Sequence, residues 1–337
     1  MDGAVIRLLV VIPYFQRKPG ILRRALQSVA AQRLPEGVAL DVVVVDDGSP
    51  APPGPEVAAM DPPLAPPHGL RILHRPNGGA GAARNTGLEA AGEAHRYIAL
   101  LDSDDTWHPG HAETLVAALE QGFDVFFSDH DWPGDYASAF AQRSFCDGAA
   151  VPGQEGLFAL SSAEALSAFL RCCPGQTSTI GWRRDIAPGL RFRTDLDPAE
   201  DLLFFCQLMS RAERICYTTE IDVSRGWGVS IYAGTMGWDT RGAVKRVCNS
   251  LRMRRQLLAE SFGGDAAPLA RIAADAAGLE RDLCWMALRA LAKRRPAEAR
   301  AALPALRDDP ALLARLPLHL ARMAVAKLRG TYRAQVA

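Results

Sequence analysis

The chain lacks several features that would settle its class at once. No apolar run in its 337 residues approaches the ~20 residues a helix needs to cross a bilayer, so no membrane-spanning helix is expected. Its 38 basic and 38 acidic side chains cancel. That removes any general attraction to nucleic acid, and no nucleic-acid partner is expected. The seven cysteines are scattered, with Cys172 and Cys173 the one close pair. No CxxC repeat or His/Cys metal spacing occurs, and reduced thiols in a cytoplasmic chain are expected. The apolar stretch 4–14 contains Arg7, has no basic segment before it and meets Pro13, so it does not read as a signal peptide. No Gly-Lys-Ser/Thr marks a Walker loop, and no GxGxxG follows the first strand.

What is present is an ordinary globular composition, 48% apolar and 23% charged, with ample material for a core. The zero net charge hides an asymmetry. From Leu288 onward there are 11 Lys/Arg against 3 Asp/Glu. A basic tail on a mildly acidic body suits an anionic surface such as membrane phospholipid.

Residues 8–12 (LLVVI) and 42–45 (VVVV) read as buried strands. Between them, Ile21, Leu22, Ala25, Leu26 and Val29 share one helical face. Strand, helix and strand in about 40 residues make a right-handed βαβ unit of a parallel sheet. Residues 50–69 hold eight prolines and form a surface loop around at most a short helix. Strands follow at 70–73, 97–101 and 124–127, with helices at 78–91 and 109–121. Helices near 163–172 and 200–210 interrupt a mixed region, and 241–262, 268–293, 297–306 and 311–331 read as helices. The expected division is 1–238 and a helical region 239–337.

Three strands end in polar clusters: Pro-Tyr-Phe-Gln, Asp-Asp-Gly-Ser and Asp-Ser-Asp-Asp. In open α/β sheets ligands bind beyond such ends. Asp102-Ser103-Asp104 places two carboxylates two residues apart, a pattern that shares Mg²⁺ or Mn²⁺ with substrate phosphates. It is equally an acidic turn, with Asp105 as a helix cap. Asp46-Asp47 accepts hydrogen bonds from a base or ribose, or simply makes the turn. The glycine-led segment 77–87 offers a helix N-terminus to a diphosphate, with Arg84 near it, or else packs tightly on the sheet. Glu200-Asp201 caps a helix or supplies a general base. His108 and His111 form a weak metal hint, and 129–131 (DHD) is a solvated loop or touches acceptor.

Taken together, residues 10–15 (VVIPYF), 42–49 (VVVVDDGS), 77–87 (NGGAGAARNTG), 97–107 (YIALLDSDDTW) and Glu200-Asp201 resemble the family 2 glycosyltransferases over about residues 5–230. The resemblance implies a GT-A fold, an α/β architecture with one mixed, mainly parallel sheet and helices on both faces, here followed by a C-terminal helical region. It implies a nucleotide-sugar site in which Pro13 and Phe15 line the base pocket and Asp47, with Asp46, binds base or ribose. Arg84 lies near base or diphosphate, and Ser103 belongs to the same site. Asp104 holds Mn²⁺ or Mg²⁺, and Asp102 contacts ribose or the metal. Asp201, supported by Glu200, deprotonates the acceptor hydroxyl. The implied activity is inverting transfer of a single sugar, UDP-linked by family expectation. The acceptor is a saccharide or lipid-linked hydroxyl, in cell-surface polysaccharide or glycoconjugate synthesis. Phe15 stands where the family commonly has Tyr and Gln16 where it has Asn, which bears on donor identity. The processive Gln-x-x-Arg-Trp motif is absent.

In 311–329, Arg315, Arg322 and Arg329 share a face, and Leu312, Leu316, Leu320 and Met323 another, with Pro317 marking a helix start. Such a helix lies peripherally on the inner membrane face or packs on the protein. Two rival functions are a nucleotidyltransferase that forms nucleotide-sugars and a non-catalytic scaffold. The first needs a Gly-rich basic loop after strand one, where Pro13-Tyr14-Phe15 stands. The second needs degraded acidic motifs.

Overall fold

The computed structural model describes residues 5–228, 240–260 and 266–329. These fall into two compact units, Met1–Thr194 with Phe204–Val229, and Asp195–Leu203 with Ser230–Ala337.

The first unit is built on β1 (Ile6–Tyr14), β2 (Val38–Asp46), β3 (Gly69–His74) and β4 (His95–Leu100), joined by α1 (Leu22–Ala30), α2 (Gly54–Ala58) and α3 (Ala80–Glu89). β1 pairs in parallel with both β2 and β4, Val10 lying opposite Val42 and Ala99. The β-branched runs in β1 and β2 are buried on both faces, as central parallel strands require. Alternation along β1 divides its side chains. Leu8, Val10, Ile12 and Tyr14 join the core that contains Leu22, Leu26 and Val29 of α1. Val11 points the other way and meets α3 so closely that a Cβ on Gly87 would lie 2.2 Å from its Cγ1. Helices therefore cover both faces.

The sheet continues past β4 through β5 (Thr106–Trp107), α4 (His111–Glu120), β6 (Val125–Asp131), α5 (Ala139–Gln142), β7 (Ala149–Ala150), β8 (Leu157–Leu160), α6 (Ser162–Cys172), β9 (Gly181–Arg183), α7 (Glu200–Met209) and β10 (Ile215–Ser224). Strand order is β3-β2-β1-β4-β9-β6-β10-β8-β7, with β5 on β10. β9 runs antiparallel between β4 and β6. The architecture is thus the mixed, mainly parallel α/β sheet expected. Five of the ten described strands, β1 to β4 and β6, lie where the sequence predicts them. β10 does not announce itself, because its pairing with β6 shifts register between Thr218 and Ile221 and again before Val223. Such irregularities break the period-two pattern by which a strand is read.

The second unit is helical: α8 (Arg241–Ala259), α9 (Ala266–Ala292), α10 (Pro296–Arg300), α11 (Leu303–Asp308) and α12 (Ala311–Leu328). Val244, Val247, Leu251, Leu279, Leu283 and Leu312 form its core. The single helix expected over 297–306 is two, because Pro304 in the first turn of α11 has no N–H for a carbonyl one turn back. Pro317 does not start a helix; it lies inside α12. The carbonyl it leaves unpaired belongs to Leu313, which is exposed to water. The expected basic face is partly engaged. Arg315 pairs with Glu280 and Asp309, and His319 lies 3.2 Å from Glu280. Arg322 and Arg329 are exposed, and Met323 is outside the described side chains. No described helix is long and apolar enough to cross a membrane.

The Gly87 contact yields a test. Gly87→Ala forces a methyl into a rigid β-branched neighbour and should lower stability by about 1–3 kcal/mol. Urea unfolding should show a lower midpoint at unchanged slope; an unshifted midpoint would show that α3 yields freely.

Candidate active site

Hydrogen bonds tie together the three polar strand ends. The Asp47 amide donates to the Tyr14 carbonyl at 2.9 Å. Ser49 Oγ accepts from the Gln16 amide at 3.1 Å, and Gln16 Nε2 donates to Ser103 Oγ at 3.3 Å. Pro13 and Tyr14 are buried, and the Tyr14 hydroxyl is spent on the Ala51 carbonyl and Glu56. Phe15 is half-buried and keeps surface to offer.

Asp46 accepts from the Ser49 amide and meets His74 Nδ1 at 3.1 Å. Asp47 is fully committed. Its carboxylate accepts from the Gly78 and Gly79 amides and from Arg75. The anion position expected at the start of α3 is therefore filled by the protein's own carboxylate, because that helix end sits directly over the β2 turn. Arg84 is buried and donates to Asp102 Oδ1 at 2.8 Å.

The Asp-Ser-Asp-Asp loop is held from beneath by a residue the sequence reading missed. Ser178 Oγ accepts from the Asp102 amide at 2.9 Å and donates to Asp105 Oδ2 at 2.6 Å. Gln176 Nε2 adds a bond to Asp105 at 3.1 Å. From the other side, the Gly226 amide donates to Asp105 Oδ1 at 2.9 Å and the Gly228 amide to Asp104 Oδ2 at 2.7 Å. Burial first, then the charges of Asp104 and Asp102, push Asp105 up to about 7. Asp105 is thus a buried anchor rather than a helix cap. Burial, and then the Asp102 charge, also raises Asp104. Asp102 keeps 27% of its side chain in solvent. The only hint of Ser178 in the sequence is a polar Gln-Thr-Ser-Thr run, which looks like any loop.

Glu200 and Asp201 lie in the first turn of α7, with Glu200 buried and Asp201 half-buried. Asp201 Oδ1 accepts from the Leu202 amide. Ala199, just before them, has φ +104, a conformation costly to a side-chain-bearing residue.

His108 and His111 do not form a metal pair. His108 Nε2 meets Ser224 Oγ at 3.0 Å. His111 is fully buried, and burial together with His108 pushes it down to about 3. Among the described residues no group of three His, Cys, Asp or Glu side chains can hold a metal. Asp129 and His130 are not a solvated loop but are buried at the end of β6. Asp129 accepts from Ser138 Oγ and the Phe140 amide, fixing α5.

A model of glycosyl transferase family 2 matches residues 9–146. The succinoglycan biosynthesis protein ExoW of Rhizobium meliloti is 32% identical over 238 residues, 67% of this chain and 70% of that protein. The chain belongs to glycosyltransferase family 2. Two solved structures share the fold. TarS 1–349 of S. aureus, in complex with UDP-GlcNAc, has a TM-score of 0.53 at 16% identity, covering 90% of this chain and 92% of that one. The mannosyltransferase PcManGT of Pyrobaculum calidifontis, in complex with GDP-Man and Mn²⁺, has a TM-score of 0.53 at 18% identity, covering 98% and 84%. The GT-A fold and the glycosyltransferase class of the chain are thereby fixed.

Two tests follow from this geometry. Ser178→Ala removes a donor from a buried carboxylate and should cost about 1–3 kcal/mol; a melting temperature equal to wild type would show the clamp to be dispensable. Asp222 is raised to about 6 by burial and the Glu220 charge. A carboxyl raised in the fold lends stability that is full below its unfolded value near 4 and is lost as pH rises through 6. Asp222→Asn should therefore gain on wild type by about 1 kcal/mol between pH 5 and pH 8, read by urea unfolding at both. A constant difference between the two proteins would remove Asp222 as the cause.

Proposed function

We propose that this glycosyltransferase moves a single sugar, with inversion, from a nucleotide-sugar, UDP-linked in the first instance, to a hydroxyl of a saccharide or lipid-linked acceptor. The observation that carries the reading is the clamped Asp102–Asp104 loop beyond β4. Two carboxylates are held close enough that the charge on Asp102 helps raise Asp104. A hard divalent cation relieves that repulsion, and Mg²⁺ or Mn²⁺ needs only one or two protein carboxylates when phosphates complete its shell. The residues fit such an ion, with Asp104 and Asp102 as its ligands. Bound there, it offsets the charge that gathers on the departing diphosphate. The complexes of TarS with UDP-GlcNAc and of PcManGT with GDP-Man and Mn²⁺ support a nucleotide-sugar and a divalent metal. The similarity to ExoW, a succinoglycan biosynthesis protein, supports a place in cell-surface polysaccharide synthesis.

On this reading Pro13 and Phe15 flank the base, and Asp46 and Asp47 shape the base and ribose end. Ser103 stands on the donor side, bonded to Gln16. Arg84 sets the direction of Asp102 through their ion pair, which leaves the second oxygen of that carboxylate for ribose or metal. Asp201 takes the acceptor proton as attack proceeds, with Glu200 supporting it. The strained Ala199 beside them is the kind of backbone outlier that clusters at working sites. Residues 1–238 form the catalytic domain. Residues 239–337 meet an anionic membrane surface through exposed Leu303, Leu313 and Leu318 and the basic residues around them, which places the enzyme at the inner face of the cell membrane.

Calorimetric titration of UDP with Mn²⁺, with Mg²⁺ and without metal tests the donor site. Metal-dependent binding is expected for wild type, weakened at least tenfold in Asp104→Ala. Metal-independent binding, or equal binding in the variant, would overturn the assignment of Asp104. Absence of binding by UDP, GDP and dTDP alike would favour a scaffold.

A further inference from the structure

A pair of tryptophans stands beside the aspartate loop. Trp132 follows β6 and Trp227 follows β10, and their ring centroids lie 4.7 Å apart at 35°. Trp227 is 67% exposed. An indole of that size left in water is unusual, and this one is held in place. Its Nε1 donates to the Pro133 carbonyl at 3.3 Å. The Arg225 guanidinium lies 4.2 Å over the Trp132 ring, and the Arg225 amide donates to the Asp131 carbonyl. Tyr136 packs edge-on against Trp132.

The placement of Trp227 is tied to the acidic loop on both sides. Gly226 and Gly228, its two neighbours, donate to Asp105 and Asp104. Both must be glycine, because a Cβ on Gly226 would fall 1.7 Å from the Asp104 carbonyl oxygen and one on Gly228 would fall 2.5 Å from Asp104 Oδ2. The backbone therefore lies flush on the proposed metal ligand, with the exposed indole projecting from between two contacts to it. Nearby, Trp132 Nε1, Asp131 Oδ1 and His130 Nδ1 are buried without hydrogen-bond partners among the described residues. Buried polar atoms left unmatched are rare and commonly await a ligand or water.

We propose that Trp227, backed by Trp132, forms a stacking platform for a pyranose ring of the acceptor saccharide. The pairing rests on the donor reading above. Base and ribose are assigned to β1 and β2 and the metal to the end of β4, whereas the platform follows β6 and β10, on the far side of β4 in the sheet order. A pyranose presents a face of C–H groups with slight positive charge, and the indole face is negative, so the two stack with apolar contact and favourable electrostatics. The platform thereby brings an acceptor hydroxyl to the metal edge of the donor site.

Saturation-transfer NMR on the full chain tests this, with a panel of methyl β-D-hexopyranosides and β-linked disaccharides as probes, each with and without UDP and Mn²⁺. Wild type should transfer saturation to the axial ring protons of at least one probe. Trp227→Ala should weaken that saccharide at least tenfold, while Trp227→Phe, which keeps a π face, retains part of it. UDP binding should stay within twofold of wild type in both variants, which also reports that they fold. No probe contacted by wild type, or equal transfer in Trp227→Ala, would overturn the platform. Trp227-dependent saccharide contact with no UDP binding would uphold the platform and sink the donor reading; the reverse pattern would do the opposite.

Discussion

Asp105 holds its carboxyl group in a place with almost no water, and much of the site is arranged around that fact. A buried carboxylate is tolerated only if its oxygens find donors. Here the donors come from two separate stretches, Ser178 with Gln176 on one side and Gly226 on the other. Satisfying one carboxylate thus binds the segment before β9 and the segment after β10 to the loop after β4. Only the first has regular structure of its own, a single 3-10 turn at Thr177–Thr179. Their relative placement follows from this shared polar anchor.

The same anchor sets the electrostatics of its neighbours. Asp102 is restrained by Arg84 from α3, and Asp104 by the Gly228 amide. Burial first, and then the mutual repulsion of three carboxyls within four residues, raises Asp104 and Asp105. On the proposed metal reading, the loop is held in an arrangement that a cation favours and that the chain alone makes costly. Trp227 inherits its position from the same bonds, so the proposed donor and acceptor edges share one support.

The parts of the fold that the sequence displayed are those with local periodicity. β1 and β2 were legible because central parallel strands are continuous β-branched runs, and α1 because its buried face repeats at helical spacing. β10 was not, because its register shifts break the alternation. The site was legible to a similar degree. Asp102, Asp104 and Arg84 stood out by residue type and by position at strand and helix ends, and the structure brings Arg84 and Asp102 into contact. Ser178, Trp132 and Trp227 gave no sign, since each gains its role from residues about 70 to 120 positions away.

By itself, then, the chain determined its layers, its polar strand ends and its membership of the family, because each depends on near neighbours along the backbone. Tertiary structure decided which carboxylates are wholly spent and which keep an oxygen to offer. Asp47 and Asp105 look as available in the sequence as Asp102 and Asp104. Yet Asp47 is consumed by the start of α3 and Asp105 by Ser178 and Gly226. A carboxylate's availability depends on the donors that folding brings to it, and those donors lie far off along the chain.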